Sequence, residues 1–256
     1  MSTVVSERAW RIVWQYRGTF VHGLFNTLES AGIGLLIALC LGFVLGLMAT
    51  SHRRLLRVAA RIYVEFFQNT PLILQVCFLY YAFAYSGYKI PVVTIGFTSL
   101  GIYHAAYISE VVRAGIGSIP SGQFDAAKSQ GFKYVGVMVH VILPQTIKII
   151  LPPMVNQVVA LIKNTSCLYI IGGADLIAST YNFVTGENTG GAYGPAYIVS
   201  GILFFLICFP LSTFAGRWEA RLKAREHIVT PDKPKEAEVS DAEIDALIAA
   251  RKGADK

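Results

Sequence analysis

Two stretches of this chain, AGIGLLIALCLGFVLGLMAT (Ala31 to Thr50) and AYIVSGILFFLICFPLSTFA (Ala196 to Ala215), each run for 20 residues with no acidic or basic side chain. A helix rises about 1.5 Å per residue, so each run has the length needed to cross a hydrocarbon core of about 30 Å. Inside lipid the backbone has no water to bond with, and a helix satisfies its own amides. Three further apolar segments are interrupted by polar groups: Pro71 to Tyr85 with the preceding RIYVEFFQNT, Val93 to Val112, and Leu143 to about Lys163. The pattern predicts an all-α membrane protein of about five transmembrane helices. Composition agrees, since 54% of residues are hydrophobic and 15% charged, against about 25% charged in ordinary soluble domains.

Lys and Arg in short loops tend to remain in the cytoplasm. Arg53, Arg54, Arg57 and Arg61 follow the first span, Arg113, Lys128 and Lys133 follow the third, and Arg217, Arg221, Lys223 and Arg225 follow the fifth. The connections Ser86 to Val92 and Asp175 to Pro195 are nearly free of such charges. The expected orientation places the N-terminus outside and the C-terminus in the cytoplasm, although Arg8, Arg11 and Arg17 pull the other way. Three regions are expected: an N-terminal interfacial segment (1–18) that acts as an uncleaved anchor with Trp10, Trp14 and Tyr16, a transmembrane domain (19–222), and a mobile polar cytoplasmic tail (223–256).

The net charge of +6 is spread over span ends instead of one contiguous face, so a lipid membrane explains it and nucleic acid is not expected as a partner. Cys40, Cys77, Cys167 and Cys208 lack paired spacing and read as small buried hydrophobes. No metal site or cofactor is expected. The chain contains no GxxxxGK[ST], GxGxxG, nucleophile elbow or HExxH. It is not expected to be an enzyme or to hydrolyse ATP itself.

Between the third and fourth spans lies IPSGQFDAAKSQGF, read as a short helix with Asp125 near its start and Gly131 at its exit. Ala126 and Ala127 leave room for a protein to approach closely. Residue types alone leave two readings open, a docking peg or an amphipathic helix on the membrane surface.

The segment resembles the "EAA" loop of permease subunits of ATP-binding cassette (ABC) importers, whose pattern is Glu-Ala-Ala, three residues, Gly, nine residues, Ile, one residue, Leu-Pro. Asp125, Ala126, Ala127, Gly131, Val141, Leu143 and Pro144 fall on it, with Asp for Glu and Val for Ile. EFFQNTPLILQ (Glu65 to Gln75) and LPPMVNQVVALIKNTSCLYIIGGADL (Leu151 to Leu176) are similar to segments of the polar amino acid branch. Gln68 and Asn69 depart from the Arg and Gly usual there, so no role of that Arg carries over. The resemblance covers roughly residues 19–222. It implies a type I permease core with a cytoplasmic coupling helix, and contacts to the ATPase through Asp125, Ala126, Ala127 and Gly131. It also implies as partners two ATPase subunits, a second permease subunit of the same or a paralogous kind, and an extracytoplasmic amino-acid-binding protein, all at a bacterial inner membrane.

Polar groups inside spans are costly against lipid and mark candidate substrate paths. The candidates are Glu65, Thr70, Gln75, Lys163, Asn164, Thr165 and Ser166, with a capping role for Thr165 and Ser166 equally open. Glu110 and Arg113 are expected to snorkel or pair near a span end. Pro144, Pro152 and Pro153 should disturb the fourth span, and Gly42 and Gly46 should pack the first span closely on a neighbour. An ion-driven transporter or passive channel for small polar solutes is the alternative function.

Overall fold

A computed structural model describes residues 6–186 and 192–229. By internal contacts the chain divides into a unit of residues 1–216 and a second of residues 217–256. The regular elements are α1 (Glu7–Gln15), α2 (Arg17–Ala49), α3 (Arg54–Gln68), α4 (Leu72–Tyr85), α5 (Val92–Gly117), α6 (Ser121–Ser129), α7 (Tyr134–Val137), α8 (Leu143–Asn164), α9 (Leu176–Thr185) and α10 (Tyr193–Val229). A π-helical turn, Met138–Ile142, joins α7 to α8, and a 3₁₀ segment, Thr165–Ile171, follows α8. The described residues contain no strand.

Four stretches are long and apolar enough to cross a membrane: Arg17–Ala49, Val92–Gly117, Tyr134–Ile171 and Tyr193–Leu222. α3 and α4 are apolar enough only when taken together, and a 99° bend separates them, as in a broken span or a re-entrant loop. The bend falls at Asn69 to Pro71, where Pro removes an N–H and biases the residue before it away from helix. The count is four, or five with the bent pair as one span, in line with the sequence reading of about five.

The first span begins at Arg17 instead of Ala31. The added stretch carries the polar residues His22, Asn26, Thr27, Glu29 and Ser30, and two of these groups are engaged. Asn26 Nδ2 donates to the Ala174 carbonyl at 2.8 Å, and the Leu176 N–H donates to Thr27 Oγ1 at 3.0 Å. The region from Asp175 to Pro195, read as a bare connection, contains α9, whose Leu176, Phe183 and Val184 join Ala9, Val13 and Phe20 in one apolar cluster. Cys40 is exposed on α2 and is not a buried hydrophobe; all four cysteines are free. Most of the polar tail (230–256), including the pattern at Ile244, Leu247 and Ile248, lies outside the described residues.

α2 and α5 approach closely because glycines face bulky partners. A Cβ on Gly42 would stand 2.6 Å from Ile108 Cγ2, one on Gly46 would stand 2.6 Å from Val112 Cβ, and one on Gly101 would stand 2.6 Å from Ile37 Cβ. The π-turn places a wide turn just before Pro144, where a tighter helix would press the proline ring on the preceding carbonyl. The helix then runs without interruption through Pro152 and Pro153.

Candidate functional site

α6 is bounded by Pro120, which sets an extended entry at ψ 138°, and by Gly131 at φ 87°. The exit is a Schellman motif: the Phe132 N–H donates to the Ala127 carbonyl at 3.2 Å and the Gly131 N–H to the Lys128 carbonyl at 2.9 Å. Only glycine enters that left-handed region without strain. Asp125 lies mid-helix, not near the start, because helical residues begin at Ser121. Ala127 is buried in the cluster that holds Ile116, Ile119, Val137 and Ile142, with half-buried Phe124 beside it. Asp125 and Ala126 remain exposed. The helix is seated by one face and presents Asp125, Ala126 and Lys128 outward.

A cavity of about 410 Å³ lies beside α6, lined by Thr50, His52, Phe124, Asp125, Lys128 and Tyr134 among others. His52 meets Tyr134 edge to face at 5.0 Å. Arg57 Nη1 donates to the carbonyls of Ser51 and His52 at 2.8 and 3.0 Å. The basic stretch after the first span and the α6 peg therefore share one end of the molecule.

The candidate path residues fall into three places. Glu65 opens into a cavity of about 690 Å³ with Arg54, Arg57, Arg61, Glu110 and Arg113. There Arg61 pairs with Glu65 at 3.1 Å and Arg113 with Glu110 at 2.7 Å, so Glu110 and Arg113 satisfy one another. Thr70 and Gln75 meet at the α3–α4 bend. Gln75 is 8% exposed, and its Nε2 donates to Thr70 Oγ1 at 2.6 Å and to the carbonyls of Phe67 and Thr70 at 3.3 Å. Its Oε1 is buried without a partner.

The third place is the junction of α8 with the 3₁₀ segment, whose Leu168 and Ile171 pack on Leu72 and Val76 of α4. The Thr165 hydroxyl donates to the Ile162 carbonyl at 2.8 Å and the Ser166 hydroxyl to the Lys163 carbonyl at 2.8 Å. Both hydroxyls turn back on the chain where the helix narrows. Lys163 is exposed and forms no salt bridge among the described residues. Asn164 Nδ2 lies 3.1 Å from His104 Nε2 of α5. His104 is 2% exposed, and the Gln157 side chain reaches the same ring. Sequence reading missed His104 and Gln157. A histidine in YHAAYIS, inside an apolar span, is the signal that could have found the first of them.

Described residues include no cluster of His, Cys, Asp or Glu that could hold a metal ion. Broken spans, polar groups concentrated at the breaks and a peg helix at one end define a membrane permease, a subunit that carries solute and receives its drive from elsewhere. The chain belongs to the family described as "Binding-protein-dependent transport system inner membrane component", which matches residues 38–224. It is 34% identical over 204 residues to the probable glutamine ABC transporter permease protein GlnM of Bacillus subtilis (strain 168), covering 80% of this chain and 93% of that protein. It is 32% identical over 203 residues to the inner membrane amino-acid ABC transporter permease protein YhdY of Escherichia coli (strain K12), covering 78% of this chain and 55% of that protein. A solved structure described as an amino acid ABC transporter with histidines superposes with TM-score 0.74 at 30% identity, covering 82% of this chain and 96% of that one. The inward-facing MetNI methionine transporter, at TM-score 0.65 and 17% identity, shares the fold. The protein is therefore a multi-pass inner membrane permease subunit of an ABC importer, with ATP hydrolysis on a separate subunit. Such a permease implies ATPase and substrate-binding partners.

Proposed function

We propose that this permease carries a polar amino acid inward and couples to its ATPases through α6. The observation that carries the reading is the build of α6: Ala127 seated in the core, Asp125 and Ala126 exposed, and a glycine-capped exit. A peg held so firmly on one side transmits force from whatever grips its other side, and rocking of the spans follows. Two ATPase subunits grip the pegs of two permease subunits, the second a copy or a paralogue, and an extracytoplasmic binding protein delivers the amino acid. The polar amino acid assignment draws on the glutamine and amino-acid permeases among the relatives and on the uncharged polar side chains at Gln75 and Asn164. Glu65, Thr70, Gln75, Lys163, Asn164, Thr165 and Ser166 remain the proposed path, with Asn164 bonded to His104 of α5. The N-terminus lies outside and the C-terminus in the cytoplasm.

The test is reconstitution of the permease with its copurified ATPases and binding protein in proteoliposomes. Asp125→Lys reverses the exposed charge, and Gly131→Leu forces a side chain into φ 87°. Both variants should insert normally and lose ATP-driven amino acid uptake by at least about tenfold, the effect of roughly 1.4 kcal/mol at a coupling contact. Uptake at the unsubstituted rate in both discards α6 as the coupling element.

A further inference from the structure

We infer that the cavity of about 690 Å³ between α3 and the last turns of α5 binds the headgroup of an anionic phospholipid, whose acyl chains lie along the outer face of α3. The inference goes beyond the transport reading and holds whichever solute is carried. The volume falls within the range of about 300–1,000 Å³ typical of small-ligand pockets. Arg54, Arg57, Arg61 and Glu65 of α3 line one wall, and Glu110 and Arg113 of α5 line another. Both carboxylates are already neutralised. Arg113 grips Glu110 with three hydrogen bonds of 2.7 to 3.0 Å, and Arg61 pairs with Glu65 at 3.1 Å. Arg57 donates only to the neutral carbonyls of Ser51 and His52, and Arg54 forms no hydrogen bond or ion pair among the described residues. Two guanidiniums one turn apart therefore lack a counter-charge, at the start of α3 beside the end of the first span. A phosphate diester meets a guanidinium fork with paired, charge-assisted hydrogen bonds.

The other faces of α3 name the source of that phosphate. Leu55, Val58, Ile62 and Phe66 are 44 to 80% exposed. Each follows a charged cavity residue by one position, so an apolar stripe runs about 100° around the helix from the charged one. The third face is buried, with Ala60 against Leu45 of α2 and Ala105 of α5. From Leu55 to Phe66 is 11 residues (66 minus 55), about 16 Å of helix and close to half of a hydrocarbon core of about 30 Å. The stripe has the depth of one leaflet. A phospholipid joins a phosphate to chains of that length, and α3 sets the two matching surfaces side by side from the end of the first span inward. Free phosphate would use only the charged one. Basic pockets between spans hold anionic headgroups in this way. A zwitterionic headgroup brings its own ammonium, which meets no unpaired carboxylate in the cavity. Neither Arg54 nor Arg57 belongs to the proposed solute path.

The importer, purified with its ATPases in a neutral detergent and stripped of lipid, is titrated with dioleoyl phosphatidylglycerol and read by native mass spectrometry. Each permease subunit should retain one phosphatidylglycerol, with a Kd at least about tenfold below that for dioleoyl phosphatidylcholine. Arg54→Gln, at a side chain with no partner to lose, should weaken binding by about tenfold, the scale of one lost charge-assisted hydrogen-bond pair. Adding Arg57→Gln should erase the preference between the two lipids. Arg53→Gln removes the same charge one residue away, outside the cavity lining, and should change the Kd by less than about twofold. Equal retention of the two lipids, or equal losses in Arg53→Gln and Arg54→Gln, overturns the inference. Displacement of phosphatidylglycerol by inorganic phosphate at the lipid's own concentration overturns it in favour of a free anion. No retained lipid, the result if a second permease subunit covers α3, overturns it as well. Uptake by Asp125→Lys and Gly131→Leu tests the transport reading separately, and none of these outcomes bears on it.

Discussion

Asp175 caps the N-terminus of α9, accepting from the Ile177 N–H at 3.0 Å through Oδ2, while its Oδ1 is buried without a partner. Burial raises its pKa to about 6, against the lowering effect of the backbone N–H groups of Ile177, Ala178 and Asp175 itself. Glu29 of α2 is the acidic neighbour facing the same small cavity, with Asn26 and Ser30 beside it. A carboxyl that binds its proton more tightly when folded than unfolded makes the native state lose stability as pH rises between about 4 and 6; above that window the loss is complete. Asp175→Asn keeps a capping oxygen and removes the titration. Its melting temperature in detergent, relative to wild type, should climb from pH 4.5 to 6.5 and then level off. A constant difference across that range contradicts the assignment. This residue illustrates what was legible at the smallest scale. Asp125, Ala126, Ala127 and Gly131 could be picked out because a motif has fixed spacing, whereas Asp175, His104 and Gln157 matter through partners distant in sequence, and spacing carries no trace of those.

At the scale of elements, helices α2 and α5 are locked by glycine instead of by large apolar side chains. Gly42 of α2 rests on Ile108 and on the Ala105 carbonyl, so an added methyl would stand 2.6 to 2.9 Å from them. A β-branched neighbour and a backbone carbonyl move reluctantly, and such overpacking costs about 1–3 kcal/mol. Gly42→Ala should therefore lower the melting temperature and the yield of monodisperse protein. Gly32 lies on the same helix with nothing within 4 Å of its would-be Cβ, so Gly32→Ala should be neutral or stabilising by about 0.5–1 kcal/mol through helix propensity. Equal effects of the two substitutions remove close approach as the cause. The GxxxG spacing announced this contact. Helix α9 was not announced, since ten residues with mixed polarity look like a loop until Leu176, Phe183 and Val184 find α1 and the start of α2. The same tertiary bonds carry α2 back to Arg17: Thr27 and Asn26 are tolerated in a span because the 3₁₀–α9 corner takes up their hydrogen bonds.

For the molecule as a whole, the proposed orientation uses α2 as a ruler. Thr27 is bonded to the head of α9, and Thr50 lines the cavity beside α6. The two are separated by 23 residues (50 minus 27) of nearly continuous helix, about 35 Å at 1.5 Å per residue. That distance exceeds the hydrocarbon thickness, so the proposed orientation puts α9 and α6 on opposite sides of the bilayer. The Arg53 to Arg61 run shares the α6 side, and the proposed orientation takes the positive-inside tendency of that run to outweigh Arg8, Arg11 and Arg17. In a variant whose four native cysteines are replaced, a single cysteine at exposed Gln123 should react with a membrane-impermeant maleimide only in inside-out vesicles. One at exposed Asn182 should react only in intact spheroplasts. Labelling of both from one side would break the ruler argument. The reverse pattern would put α6 outside, out of reach of any cytoplasmic ATPase, and with it would go the proposal that this helix delivers the driving force.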